Sequence, residues 1–191
     1  MSNRIYLIRH ARPAAGWGGA DDDPGLDETG KAQAQAAAEA LMALPPEVRP
    51  TRVVSSPLRR CRETAEPFAR AIGVGLEIDP RVGEIPTPAA LTPEARGPWL
   101  REAFAGRWAD IEGDLDYDDW RRAVAAAVGS RPDAAVFSHF VAINAVLSHL
   151  ADDERVMSFR PDHASISVFE RDGEGGLRLV ERGREAVTGV L

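Results

Sequence analysis

The chain predicts an α/β fold: a three-layer αβα sandwich around a mainly parallel central sheet. Two observations carry this expectation. Strand-like apolar runs alternate with helix-forming segments in a β-α-β-α order, which builds parallel sheets covered by helices. Three of the runs also end in polar groups that a structural strand does not need: Arg9-His10, Ser55-Ser56 and Ser138-His139. Ligands in such sheets bind beyond the carboxyl ends of the strands, so the three endings fall where a site belongs.

The elements follow in order. RIYLI is a short strand that stops at Arg9-His10, and small residues follow it. The stretch DDDPGLD carries turn chemistry and leads into an Ala/Gln-rich helix over about 28–44, which Pro45-Pro46 ends. TRVVSS is the second strand. Ser56-Pro57 then reads as a helix start, with Ser as N-cap and Pro in the first turn, and that helix runs to about 72 and stops at Gly73. LEID is a short strand. Residues 80–113 are interrupted by Pro and Gly, with Trp99, Phe104 and Trp108 among them. A helix over 117–128, the strand DAAVFS and a helix over 139–150 come next. Residues 165–170 and 177–181 form a terminal hairpin around DGEGG. Neither repeats nor low-complexity segments interrupt this order, so 1–191 reads as one domain, with a lid or specificity insertion at about 85–113.

Composition narrows the function. The chain has 191 residues, 44% hydrophobic and 28% charged, enough for a real core. A net charge of −7 argues against a general nucleic-acid binder or a binder of anionic membranes, whose affinity needs excess Lys and Arg. Lys31 is the only lysine, so a phosphate clamp has to be built from Arg or His. Cys61 is the only cysteine, which rules out an intrachain disulfide. No run has signal-peptide form or transmembrane length, and the cytoplasm is the expected compartment.

Three stretches are specific in combination: LIRHA near the start, SSPLRRCRETA in the middle and VFSHF late. LDETGKAQA, RVGEI and HASISVFE add weaker support. Together, in this order, they resemble the histidine phosphatase, or phosphoglycerate mutase-like, superfamily over most of the chain. The resemblance implies a small phosphatase that hydrolyses a phosphomonoester through a phosphohistidine intermediate, without cofactor or metal. His10 is then the nucleophile and Arg9 a phosphate clamp. Arg60 is the second arginine, His139 the second histidine and Glu84 the proton donor. Arg9, Arg60, His139 and Phe140 are implied to bind the substrate, a small anionic phosphorylated molecule.

The chemistry is consistent with those roles. Phosphoryl transfer is mostly positioning and electrostatic stabilisation, and guanidinium groups stay charged and offer forked donors. Arg60 falls in the first turn of its helix, whose positive end also favours an anion. A neutral imidazole held by one nitrogen can attack with the other. A carboxyl beside the phosphate can protonate the leaving oxygen and later activate water.

The chain also departs from the family. Ala11 stands where Gly is usual, with an expected shift of the loop or narrowing of the pocket. Ala14, Ala15 and Gly16 offer no side-chain donor where Asn or Ser often helps. Phe140-Val141 replaces Gly-Gly, and IPTPAALTPEARGPW replaces the usual motif after Glu84. His149 and His163 read as structural, and Cys61 as a small packing residue. Two alternatives stand beside the phosphatase: a mutase-like phosphotransferase, and a phosphate-binding regulatory protein without turnover. Oligomeric state is not legible.

Overall fold

The computed structural model describes residues 3–15, 21 and 23–186. Its centre is a six-stranded sheet of β1 (Arg4–Arg9), β2 (Arg52–Ser55), β3 (Glu77–Ile78), β4 (Ala134–Ser138), β5 (Ile166–Arg171) and β6 (Leu177–Glu181), in the order β3-β2-β4-β1-β5-β6. β3, β2, β4 and β1 run parallel, and β5 and β6 continue the sheet as an antiparallel hairpin. The helices are α1 (Glu28–Met42), α2 (Arg59–Ile72), α3 (Pro93–Ala105), α4 (Tyr117–Gly129) and α5 (Phe140–Leu150). None among the described residues is long and apolar enough to cross a membrane.

Strand alternation divides the core into two layers of packing. Ile5, Leu7, Val54 and Val136 pack with α4, α5 and Phe104 on one face. Tyr6, Ile8, Val53 and Phe137 pack with α1 and α2 on the other. This is the expected three-layer sandwich. β1 and β4 are sealed on both faces, which is why RIYLI and AAVFS lack the polar alternation of a half-exposed strand.

Register places the site. Arg9 lies level with Ser138, and Ser55 with Phe137. Two further bonds carry the alignment past the strand ends: the His10 N–H donates to Ser138 O at 2.9 Å, and the Ser56 N–H to Phe137 O at 3.0 Å. The three polar endings therefore share one edge.

Two boundaries differ from expectation. α2 begins at Arg59 with Leu58 as its N-cap, not at Ser56-Pro57, and the Ser56 hydroxyl accepts the Leu58 N–H at 3.4 Å ahead of the helix while also meeting His139. It ends as expected at Gly73, whose φ of 72° is a left-handed cap that suits glycine. The interrupted stretch contains α3, flanked by short 3₁₀ turns at Pro80–Val82 and Trp108–Asp110. Pro93, Gly97 and Pro98 hid α3 from the sequence reading. Pro93 occupies the first turn, where its missing N–H costs nothing, and packing against the core outweighs Pro98. Trp108 is buried in that core and donates from Nε1 to Ser148 Oγ at 3.0 Å.

The motif LDETGKAQA forms the start of α1. Asp27 caps it, accepting the Gly30 N–H at 2.7 Å. A Cβ on Gly30 would come within 2.1 Å of the Arg12 carbonyl oxygen, so glycine is what lets α1 lie against the chain leaving β1. Gly30→Ala is expected to lower stability by about 1–3 kcal/mol through this clash. That direction opposes the gain of about 1 kcal/mol that alanine brings to an unobstructed helix. Urea unfolding measures the outcome, and an unchanged or higher midpoint would refute the close-approach argument.

Candidate active site

The chain leaves β1 as Arg9-His10 and buries both side chains, each 6% exposed. His10 Nδ1 lies 2.9 Å from Ala11 O. A carbonyl only accepts, so Nδ1 carries the proton and Nε2 keeps its lone pair. Arg9 donates from Nη1 to Pro161 O at 2.9 Å, and its guanidinium carbon lies 5.1 Å from the Phe140 ring centroid. Arg60, the second residue of α2, reaches the same place from β2. Its Nη2 is 3.3 Å from His139 Nδ1 and 3.9 Å from Glu84 Oε2.

His139 follows β4 in extended conformation and precedes α5. It is fully buried, with Nε2 2.8 Å from Ser56 Oγ. The tautomer protonated at Nε2 satisfies this set: it donates to Ser56, and Nδ1 accepts from Arg60. Glu84 completes the cluster, with Oε2 3.5 Å from His139 Nδ1. Its carboxyl accepts the N–H of Ile85 at 3.0 Å and that of Val141 in the first turn of α5. An anion there also meets the positive end of the helix.

Burial dominates the electrostatics. It pushes the His10 pKa well below the usual imidazole range, reinforced by the neighbouring His139, which disfavours a second proton, and by the charges of Arg9 and Arg60. His139 is lowered by burial and then by Arg60 and Arg9. Burial raises Glu84 although Arg60 and Arg9 pull the other way. Arg9 is lowered by burial to about 10 and remains a cation at neutral pH. Two neutral imidazoles, two cations and a carboxyl that readily holds a proton thus form one set.

All five residues singled out from the sequence, with Phe140, meet here. Arg9, His10, Arg60, Glu84 and Phe140 line a cavity of about 440 Å³, and His139 lies directly behind it. His163, read from the sequence as structural, stands beside His10. It lines the cavity with its ring centroid 5.9 Å from that of His10, because the left-handed Ala164 (φ 54°) turns the chain ahead of β5. Burial, followed by the Arg9 charge, lowers His163 to about 4.

Ser56 and Thr64 were also missed as site residues. Thr64 Oγ1 accepts the Ala11 N–H at 2.9 Å and so ties α2 to the loop that carries His10. SSPLRRCRETA held both residues, but an ordinary capped helix accounts equally well for a hydroxyl in it. The Ala11 methyl does not narrow the pocket: it packs with Leu26, Ala34, Ala37 and Ala164. Ala15 lines the cavity, whereas Gly16 lies outside the described residues. Cys61 is buried as expected, its Sγ 3.4 Å from His139 Nε2, and burial pushes its thiol pKa up, away from reactivity. No group of three or more His, Cys, Asp or Glu side chains among the described residues is placed to hold a metal.

A site with this charge pattern, at the carboxyl edge of a parallel sheet, belongs to the class of proteins that handle phosphoryl groups. The family model of the histidine phosphatase superfamily (branch 1) matches residues 5–183, and the chain belongs to that superfamily. No curated protein matches the sequence. Among solved structures, the chain is similar to a mycobacterial glucosyl-3-phosphoglycerate phosphatase, with a TM-score of 0.72 at 22% identity over 95% of this chain and 98% of that one. It is also similar to a phosphoserine phosphatase from Entamoeba histolytica solved with 3-phosphoglyceric acid, with a TM-score of 0.72 at 18% identity over 96% and 98%. The mycobacterial enzyme has also been solved with inorganic phosphate. At these identities the likeness is one of fold.

The lowered imidazoles make stability depend on pH. Unfolded histidines take up protons as pH falls through about 6.5, while the buried ones stay neutral. Their contribution is therefore present above that pH and is lost as pH falls, towards about 4 for His163. Glu84, raised when folded, opposes this in part, since its contribution is present below its ordinary value and lost as pH rises. His163→Asn is expected to flatten the decline between pH 6 and pH 5 by up to about 1.4 kcal/mol per pH unit. Urea titrations at the two pH values give the slope, and equal slopes for variant and wild type would contradict burial of a neutral His163.

Proposed function

We propose that this protein hydrolyses a phosphomonoester through a phosphohistidine on His10, without a metal. One observation carries the reading. A neutral imidazole, its tautomer set by Ala11 O, stands among two guanidinium groups and a carboxyl with a raised pKa. Arg9 and Arg60 hold the phosphoryl oxygens, His139 stands behind Arg60 and accepts from its Nη2, and Phe140 lines the space beside them. His10 Nε2 attacks phosphorus as the bond to the leaving oxygen breaks. Glu84, protonated, gives its proton to that oxygen, which departs as an alcohol. Glu84, now a carboxylate, takes a proton from water. The resulting hydroxide attacks phosphorus, the P–N bond breaks, and inorganic phosphate and neutral His10 are restored. The arriving dianion raises Glu84 further, so binding prepares the acid. The segment over about 85–113 serves as a wall or lid that sets specificity.

His10→Asn is expected to lower kcat/KM by roughly 10³-fold or more, the scale on which loss of a nucleophile acts. Rapid mixing of wild type with substrate in EDTA should trap phosphate that is acid-labile and base-stable. A His10→Asn enzyme of near-normal activity, or a phosphoenzyme that forms only with added metal, would overturn the mechanism.

Glu84→Gln is expected to separate substrates by leaving group. An alkoxide leaves badly without a proton, so alkyl phosphates should lose on the order of 10²–10⁴-fold in kcat/KM. Nitrophenyl phosphate, whose phenolate leaves unaided, should lose far less. Equal losses on both would mean that Glu84 binds or supports the site and is not its acid.

A further inference from the structure

The cavity is larger than a phosphate needs, and its lining is of two kinds. Arg9, His10, Arg60, Glu84 and His163 are polar or charged. Leu58, Ile85, Pro86, Leu100, Phe104 and Phe140 are apolar. These six come from four places: the residue before α2, the segment after Glu84, α3 and the start of α5. Ile85, Phe104 and Phe140 are buried, and the Phe104 and Phe140 ring centroids lie 5.4 Å apart, so this part of the wall is a continuation of the core. Of the polar side chains bordering it, Arg12 is already held by Asp27 Oδ2 at 2.6 Å and Thr29 Oγ1 at 2.8 Å. Thr87 and Arg96 stand on the α3 side, and Asp21 brings a carboxylate that disfavours a second acidic group on the ligand.

Resting on the phosphatase reading above, we infer that the substrate is the phosphomonoester of an apolar alcohol, alkyl or aromatic, and not that of a polyhydroxylated sugar or sugar acid. Apolar carbon gains from every contact with such a wall, where one methylene is worth about 10-fold or more in kcat/KM. A polyol has to strip water from several hydroxyls, and the six apolar residues offer them no side-chain partner, which leaves Thr87, Arg96 and Asp21 to replace that water. Phe140 meets both kinds of lining, since it lies beside the Arg9 guanidinium and forms part of the apolar wall.

The test is a set of kcat/KM values for hexyl phosphate, glycerol 1-phosphate and glucose 6-phosphate, with nitrophenyl phosphate as the reference for turnover. Hexanol is the least acidic of the three alcohols, so leaving-group chemistry favours the polyols and a preference for hexyl phosphate has to come from binding. The expected result is a preference for hexyl phosphate of about 10-fold or more. Leu100→Asn, on a half-buried face of α3, should narrow the ratio of hexyl to glycerol phosphate. Polyol phosphates turned over as well as hexyl phosphate would overturn the inference and leave the phosphatase reading standing. Turnover of none of the four, nitrophenyl phosphate included, would overturn the phosphatase reading and this inference with it.

Discussion

The structure depends on holding two guanidinium cations out of water at one sheet edge, beside a carboxyl 3.9 Å from one of them. Arg60 Nη2 sits between His139 and Glu84, and Arg9 lies against Phe140 and donates to a backbone carbonyl. None of these contacts is a tight carboxylate pair: the shortest Arg60–Glu84 approach is 3.9 Å. Buried charge without close pairing is costly, and the cost is met only where the surroundings are rigid. Strands sealed on both faces, with three polar endings tied by backbone hydrogen bonds, supply that rigidity. An arriving phosphate dianion is the counter-charge the cluster lacks.

The same burial sets the protonation states that the chemistry asks for. It keeps the His10 and His139 imidazoles neutral and raises the Glu84 carboxyl above its ordinary range. One physical cause thus gives opposite acid–base assignments to His10 and Glu84. Positioning is done by groups that do not titrate: Ala11 O on His10, Ser56 Oγ on His139 and Thr64 Oγ1 on the loop between them. A carbonyl and two hydroxyls can hold an imidazole ring or a loop in place without adding charge to a site whose charge is the point.

The departures from the family pattern sort into two kinds. Ala11 is absorbed by a pocket of small residues behind the loop and does not narrow the cavity. Phe140 and, in the segment after Glu84, Ile85, Pro86 and Thr87 line the cavity. Two kinds of element therefore border the cavity: chain at or just past the strand ends, with the first turn of α2, and α3 with its flanking chain. The first is tied into the central sheet, and the second lies against it and is free to vary.

Much was legible in the sequence because the relevant physics is local. The sandwich follows from alternating apolar runs, and the site edge follows from polar residues ending buried strands. Arg9, His10, Arg60, Glu84 and His139 could be singled out because the short motifs that hold them resemble those of the histidine phosphatase family. Other features were decided only when the chain folded. α3 carries Gly97 and Pro98 in its interior and exists because the core holds one of its faces. Ser56 took His139, 83 residues away, as a partner beside the local Leu58 N–H. His163 reached the cavity through one left-handed residue ahead of β5. A contact between residues far apart in the chain leaves no pattern in either segment, so local spacing could name the groups of the site but not the partners that hold them or the wall that stands opposite.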